Sequence, residues 1–295
     1  MTAASSNADY RPRRSVLYLP ASNERALAKA KTLPVDALIL DLEDAVAPDA
    51  KEAARENACA AVRSGEYGRR ELTIRVNALG TQWHDADLAA AAAAGPDAIV
   101  VPKVGTADEV RALAAAIEQA GAPDQTRLWA MVETPVAVLH AEEIARASDR
   151  LECLVLGTND LLKELGAVAV PGRQPLVTAL SLVLIAARAA GIAVVDGVYN
   201  DVSDAEGFLA EARQGRELGF DGKTLIHPGQ VGPCNEVFAP SEAQVADARA
   251  VIEAFEGATA AGRGVVTLDG RLIEQLHVDT AHKVLATAEA IAALG

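Results

Sequence analysis

Apolar residues fall along the chain in eight short runs, each stopped by a polar residue, with Ala-rich segments of helical periodicity between them. The runs are Ser15–Leu19, Ala37–Leu42, Leu72–Val76, Ala98–Val101, Leu128–Val132, Leu151–Leu156, Ile192–Val195 and Thr224–Ile226. Their lengths and β-branched content predict buried strands. The segments between them predict helices at Glu24–Lys31, Lys51–Val62, Asp85–Ala94, Ala107–Gln119, Ala137–Ala147, Leu161–Leu165, Leu176–Ala190 and Ala205–Leu218. Gly95, Gly121, Gly191 and Gly219 stand where helix C-terminal stops belong. Eight strand–helix alternations predict an α/β fold of the (β/α)8 TIM-barrel type, whose chemistry sits at the C-terminal ends of its strands.

Residues 1–13 read as a flexible tail, 14–233 as the barrel and 234–295 as a C-terminal extension. In the extension, Ser241 is a candidate N-cap for a helix running to about Gly257. A Gly-rich turn, Gly262-Arg263-Gly264, leads to Val265–Leu268, Asp269-Gly270 is a hairpin-turn signal, and a last apolar-faced helix runs from about Val278 to Ala293. The barrel's outer ring is already complete, so this helix is expected to pack on a neighbouring subunit.

Composition narrows the class. The chain has 295 residues, 51% apolar and only 3% aromatic, so an ample core must be built from Ala, Val, Leu and Ile. A net charge of −14 argues against nucleic-acid and anionic-lipid partners. Basic residues gather near the start, at Arg11, Arg13, Arg14, Arg25, Lys29 and Lys31, where an anionic ligand could be received. Cys59, Cys153 and Cys234 have no metal or redox spacing and read as reduced thiols of a cytoplasmic protein. The first fourteen residues lack the apolar core of a secretory signal. The most hydrophobic stretch, Leu176–Val195, is broken by Arg188 and Gly191, and reads as a buried helix entering a strand.

The strand ends carry the candidate chemistry. Glu133 ends the fifth strand and Asp160 lies just beyond the sixth. Carboxylates at neighbouring strand ends are how proteins hold Mg2+ with positions left for water and substrate; a surface ion pair for Glu133 and an N-cap for Asp160 are the bland alternatives. Arg75, ending the third strand, must point into the mouth and find an anion. That anion is either a ligand carboxylate gripped bidentately or Asp41 or Glu43 of the second strand. Asp41 and Glu43 share a face, and Glu43 and Asp44 are candidate catalytic carboxylates. Lys103 is a charge balance or a catalyst; His227 suits ligand contact better than base catalysis. His84, His140, His277 and His282 read as surface or helix residues. P-loop and serine-hydrolase motifs are missing.

Arg14-Ser15-Val16-Leu17-Tyr18-Leu19-Pro20, Asp41-Leu42-Glu43-Asp44, Ile74-Arg75-Val76-Asn77, Val101-Pro102-Lys103, Val132-Glu133-Thr134 and Gly222-Lys223-Thr224-Leu225-Ile226-His227-Pro228 occur in an order and spacing found in one family. By these motifs the chain resembles the citrate-lyase β-subunit-like members of the HpcH/HpaI aldolase group, which include malyl-CoA, methylmalyl-CoA and citramalyl-CoA lyases. The resemblance covers nearly the whole chain. It implies a Mg2+-dependent barrel, trimeric or hexameric, acting on a 3-hydroxyacyl-CoA thioester. By position it implies that Glu133 and Asp160 hold Mg2+ and that Arg75 clamps the carboxylate of a 2-oxo acid. Tyr18, Lys29 and the backbone near His227 would contact coenzyme A, with Arg25 standing where some relatives have lysine. The family's Met-Ile-Asp-x-Pro-like segment, contributed by an adjacent subunit, reads here Leu272-Ile273-Glu274-Gln275-Leu276. Glutamate replaces the aspartate and the proline is absent, so acid–base work falls to Glu274.

The leading expectation is a lyase that splits malyl-CoA or a similar thioester into acetyl-CoA or propionyl-CoA and a 2-oxo acid such as glyoxylate. Mg2+ would stabilise the developing alkoxide and a carboxyl group would protonate the thioester enolate. A malyl-CoA thioester hydrolase on the same site is the alternative. A citrate-lyase β subunit working with an acyl carrier protein ranks third.

Overall fold

The computed structural model describes residues 11–260, 262 and 264–294. Residues 1–10 of the expected tail, and Arg263 of the Gly-rich turn, lie outside the described residues. The chain divides into two compact units, with the first running from Arg13 to Phe238.

That unit is the expected barrel. Its strands are β1 (Ser15–Pro20), β2 (Ala37–Asp41), β3 (Glu71–Arg75), β4 (Ala98–Val101), β5 (Arg127–Val132), β6 (Leu151–Leu156), β7 (Ala193–Asp196) and β8 (Gly222–Leu225). Each pairs in parallel with the next, and β8 closes on β1. The connecting helices are α1 (Glu24–Ala30), α2 (Lys51–Ser64), α3 (His84–Ala94), α4 (Ala107–Gln119), α5 (Pro135–Leu139), α6 (Ala141–Ala145), α7 (Thr158–Leu165), α8 (Val177–Ala190) and α9 (Ala205–Leu218). The single helix expected over Ala137–Ala147 is two. Thr134 caps α5 early through a bond from the Ala137 N–H, and His140 leaves helical geometry with its ring held to the Gly105 carbonyl.

Strand alternation sorts the core into two shells. Val16, Ala37, Ile39, Ala98, Val100, Trp129, Met131, Cys153, Val155 and Val195 fill the barrel interior. The alternate positions pack outward against the helices, where Leu and Ala dominate.

The barrel's lower end is closed by Arg13, which corrects two expectations. Arg13 is buried and not part of a tail: its guanidinium grips Glu71 with two bonds of 2.7 Å, meets Glu152 at 3.0 Å and lies 5.1 Å from the Trp129 ring centre. Arg14 is paired with Asp36 at 2.7 Å. Neither is offered to an anionic ligand. The close approach of this segment also dictates Gly222, where a Cβ would lie 1.8 Å from the Arg13 carbonyl oxygen.

The unit ends at Phe238 and not at Pro233, because one further helix, α10 (Val231–Phe238), buries Val231, Cys234 and Phe238 in the barrel's outer core. The second unit contains α11 (Glu242–Ala260), an antiparallel pair of β9 (Val266–Leu268) and β10 (Arg271–Ile273), and α12 (Gln275–Leu294). Ser241 caps α11 as expected, accepting from the Gln244 N–H at 3.2 Å. Asp269 and Gly270, both at positive φ, make the hairpin turn. Ala248, Val251, Ile273, Val278 and Ala281 form a small core of its own. Among the described residues, no helix is long and apolar enough to cross a membrane.

A buried ionic cluster ties β7 and β8 to α9. Lys223, fully buried, bonds Glu211 at 2.7 Å and meets Asp196 at 3.3 Å, while Arg173 grips Asp196 at 2.7 and 2.8 Å. Burial works against the Asp196 charge, yet Lys223 and Arg173 together hold its carboxyl below its ordinary value. Removing it leaves buried Arg173 without its close carboxylate and Lys223 with Glu211 alone, so Asp196→Ala is expected to cost roughly 3–5 kcal/mol in denaturant unfolding. The depressed carboxyl contributes its stability above its ordinary range of about 3.9 and loses it only as pH falls through the lower folded value. The acid limb of the unfolding curve should therefore flatten in Asp196→Asn; an unchanged limb would mean the cluster contributes nothing there.

Candidate active site

The alternation that fills the barrel with apolar side chains also aims its last layer into the mouth. On β2 the inward series Ala37, Ile39 ends at Asp41; on β3 Glu71 and Thr73 end at Arg75; on β5 Trp129 and Met131 lead to Glu133, just past the strand. Asp41 and Arg75 are direct partners in the β2–β3 register. These side chains, with Tyr18, Asp44 and Asp160, line a cavity of ≈ 320 Å3.

Arg75 is committed within the protein. Its Nε and one Nη donate to the two oxygens of Asp41, both at 2.7 Å, and the other Nη meets Glu43 at 2.9 Å. Asp44, exposed, lies 3.8 Å away. The guanidinium stacks 4.8 Å from the centre of the Tyr18 ring, and the phenol points at Met131 Sδ, 3.8 Å away. Of the two anions expected for Arg75, the internal one is present. Burial pushes the Tyr18 phenol up, with Arg75 acting in the opposite direction. Burial also raises the Glu43 carboxyl, again against Arg75.

Glu133 sits at the centre. It is 2% exposed, and Oε1 accepts the main-chain N–H of Lys103 at 2.7 Å. Burial first, then repulsion from Glu43 and Asp160, push its carboxyl up to about 7. The space it occupies exists because residue 157 is glycine: a Cβ there would stand 2.2 Å from Glu133 Oε2. Asp160, half-buried in the first turn of α7, faces the same space. Lys103 extends its ammonium to within 3.3 Å of Glu43 and holds a backbone φ of +55°. Such a conformation costs a side-chain-bearing residue about 1–3 kcal/mol.

The carboxylates suit a divalent cation. Two acidic oxygens donors, Glu133 and Asp160, repel each other across a buried space, which a cation would relieve. Among the described residues no group of three or more His, Cys, Asp or Glu gathers as a full metal cage. Two carboxylates with the remaining positions left to water and substrate is the pattern Mg2+ takes.

Other expected site residues lie elsewhere. Arg25 and Lys29 are exposed, one turn apart on α1, and are not part of the cavity wall. His227 is exposed and caps a one-turn 3-10 helix, its Nδ1 accepting from the Gly229 N–H at 3.1 Å; the nearby N–H groups of Ile226 and His227 are taken by Gln230. Glu274 belongs to the C-terminal unit, exposed, with its main-chain N–H donating to His277 Nδ1 at the start of α12. Of the histidines, His84 is buried, its Nδ1 2.7 Å from the Asn77 carbonyl.

Lys51 was expected only as the start of a helix. Its ammonium is buried beneath the mouth, donating to the carbonyls of Leu42 and Glu43 at 2.7 Å and to Asn77 Oδ1 at 2.8 Å. A cation at a helix N-terminus opposes the helix dipole, and that local conflict was the signal available in the sequence.

The family model for HpcH/HpaI aldolase/citrate lyase matches residues 14–228. The chain is 51% identical over 284 residues to a (3S)-malyl-CoA thioesterase of Cereibacter sphaeroides, covering 96% of this chain and 97% of that one. It is 37% identical over 307 residues to an L-malyl-CoA/beta-methylmalyl-CoA lyase of the same species, covering 96% of each. A solved structure of CitE from Mycobacterium tuberculosis, in complex with magnesium, acetoacetate and coenzyme A, is similar over 96% of this chain and 100% of that one, at 30% identity and a TM-score of 0.77. With its barrel, its mouth carboxylates and these full-length relatives, the chain belongs to the HpcH/HpaI aldolase/citrate lyase family.

Proposed function

We propose that this protein is a Mg2+-dependent hydrolase of a short 3-hydroxydicarboxylyl-CoA such as malyl-CoA, releasing the free hydroxy acid and coenzyme A. The observation that carries the reading is the gap in likeness: 51% identity to a malyl-CoA thioesterase against 37% to a malyl-CoA lyase, at similar coverage. It reverses the order expected from sequence motifs alone, in which the lyase came first.

Glu133 and Asp160 would hold the cation, which supplies a Lewis acid for the oxygens of the bound hydroxyacyl group. Arg75, locked to Asp41, keeps a fixed positive charge beside the reacting carbonyl. Glu43, a buried carboxyl raised in proton affinity, takes a proton from the attacking water. The water oxygen joins the thioester carbon, the carbon–sulfur bond breaks, and the departing thiolate is protonated. Arg25, Lys29 and the His227 turn would carry the nucleotide end of coenzyme A. The unpaired buried thiols Cys59, Cys153 and Cys234 fit a reducing, cytoplasmic setting.

The lyase remains a second reading, favoured by the retained Glu133, Asp160 and Arg75 and by the CitE complex containing magnesium, acetoacetate and coenzyme A. On that reading the protein is a trimer or hexamer, and Glu274 from a neighbouring copy protonates the enolate.

Incubation with malyl-CoA and Mg2+ should yield malate and free CoA, with activity lost in excess chelator and in Glu133→Gln. Acetyl-CoA and glyoxylate as the main products would establish the lyase instead, and full activity in chelator would remove the metal. Gly157→Ala should inactivate the enzyme by about a hundredfold or more, because its methyl occupies the position of the Glu133 carboxylate; wild-type turnover in that variant would show that Glu133 is free to move away. Glu43→Gln should abolish CoA release while Glu274→Gln spares it. The opposite pattern would transfer the base to Glu274.

A further inference from the structure

We infer that Lys103 is a positioning residue of the reaction site, its main-chain N–H fixing Glu133 while its ammonium fixes Glu43, so that one residue beyond β4 sets both carboxylates. The inference rests on the functional reading above, in which Glu133 carries the cation and Glu43 serves as base.

The backbone is the first observation. Three non-glycine residues among those described hold a positive φ: Lys103, Arg173 and Asp269. Asp269 is in a hairpin turn beside Gly270, where this geometry is ordinary. Arg173 is pinned by its bonds to buried Asp196. Lys103 is at the mouth, directly after Pro102, in a two-residue turn. A glycine would adopt φ +55° without strain. It would also present the same N–H to Glu133 Oε1, 2.7 Å away. The N–H therefore explains the turn, and only the side chain explains the lysine.

The second observation is where that side chain goes. Nζ lies 3.3 Å from one oxygen of Glu43, whose other oxygen is 2.9 Å from Arg75. Glu43 is thus held from both sides, by a guanidinium from β3 and an ammonium from beyond β4. Without the ammonium, one oxygen loses its partner and the carboxylate can rotate about the remaining contact. The charge neighbours of Lys103 are Glu43, Glu133 and Asp160, so the ammonium also lies among carboxylates that would otherwise repel one another. The side chain is 44% exposed, which separates it from Lys51, buried and saturated by three acceptors below the site.

The turn and the ammonium make different predictions, which allows them to be separated. Parent, Lys103→Gly and Lys103→Arg are compared by thermal unfolding, by calorimetric Mg2+ binding without substrate, and by kcat and KM for malyl-CoA. Lys103→Gly keeps the N–H, relieves the strain and removes the ammonium. Its Tm should match or exceed the parent's and its Mg2+ affinity should not fall below the parent's, since a positive charge beside Glu133 and Asp160 has been removed. Its kcat should fall about a hundredfold, the scale for a misplaced catalytic group, with KM little changed. Lys103→Arg should recover most of that kcat. A glycine variant with parental kcat, or one whose Tm and Mg2+ affinity collapse together with kcat, overturns the inference. A parent that neither binds Mg2+ nor acts on malyl-CoA overturns the functional reading, and this inference with it.

Discussion

A guanidinium buried at the end of a barrel strand must meet a carboxylate, and the bidentate pairing of Arg75 with Asp41 is the contact on which the rest of the mouth depends. Asp41 does more than neutralise. Its oxygens also accept the N–H groups of Glu43 and Ala45, at 2.9 and 3.2 Å, which folds the chain after β2 back over the strand end. That fold brings Glu43 within reach of Arg75, and Glu43 in turn meets Lys103, whose N–H reaches Glu133. The ends of four strands are thereby linked, three through alternating charges and the fourth through a main-chain N–H. Removing either member of the first pair would leave a buried ion, and removing Asp41 would also unlatch a loop.

Much of the fold was legible because strand register is a two-residue period and barrel strands are buried on both faces. Ala98–Val101 and Leu151–Leu156 have the predicted limits, and Asp41, Arg75 and Glu133 were placed at the mouth from their positions at strand ends. The split between α5 and α6 was not legible, since it depends on the His140 ring finding a carbonyl from the preceding βα unit. The role of Arg13 was hidden for the same reason. Its partner Glu71 is 58 residues away, just before the run Leu72–Val76 read as the third strand. Within the site, residue types were readable but their partners were not. An arginine announces that it needs an anion, and no pattern states whether that anion is a ligand or Asp41.

The acidic character of the chain takes on meaning at the mouth. Five carboxylates, from Asp41, Glu43, Asp44, Glu133 and Asp160, converge there with the cations of Arg75 and Lys103. Such an excess of negative charge is poorly suited to receive an anionic thioester unaided. The Glu133 carboxyl, raised first by burial, is raised further by that excess through Glu43 and Asp160. On the proposed function, a cation held by Glu133 and Asp160 would offset that excess, so the charge that meets an anionic substrate would be set by whether the cation is bound.

The seal at the other end of the barrel has an engineering consequence. Arg13 closes the floor by covering Glu71 and Trp129, both buried. The same contact sets the shortest useful N-terminal truncation of the barrel. A cut that spares Arg13 keeps this contact, whereas a cut through it leaves the buried Glu71 side chain without its guanidinium partner. Fusion partners and permutation breakpoints are accordingly better placed upstream of this plug than within it.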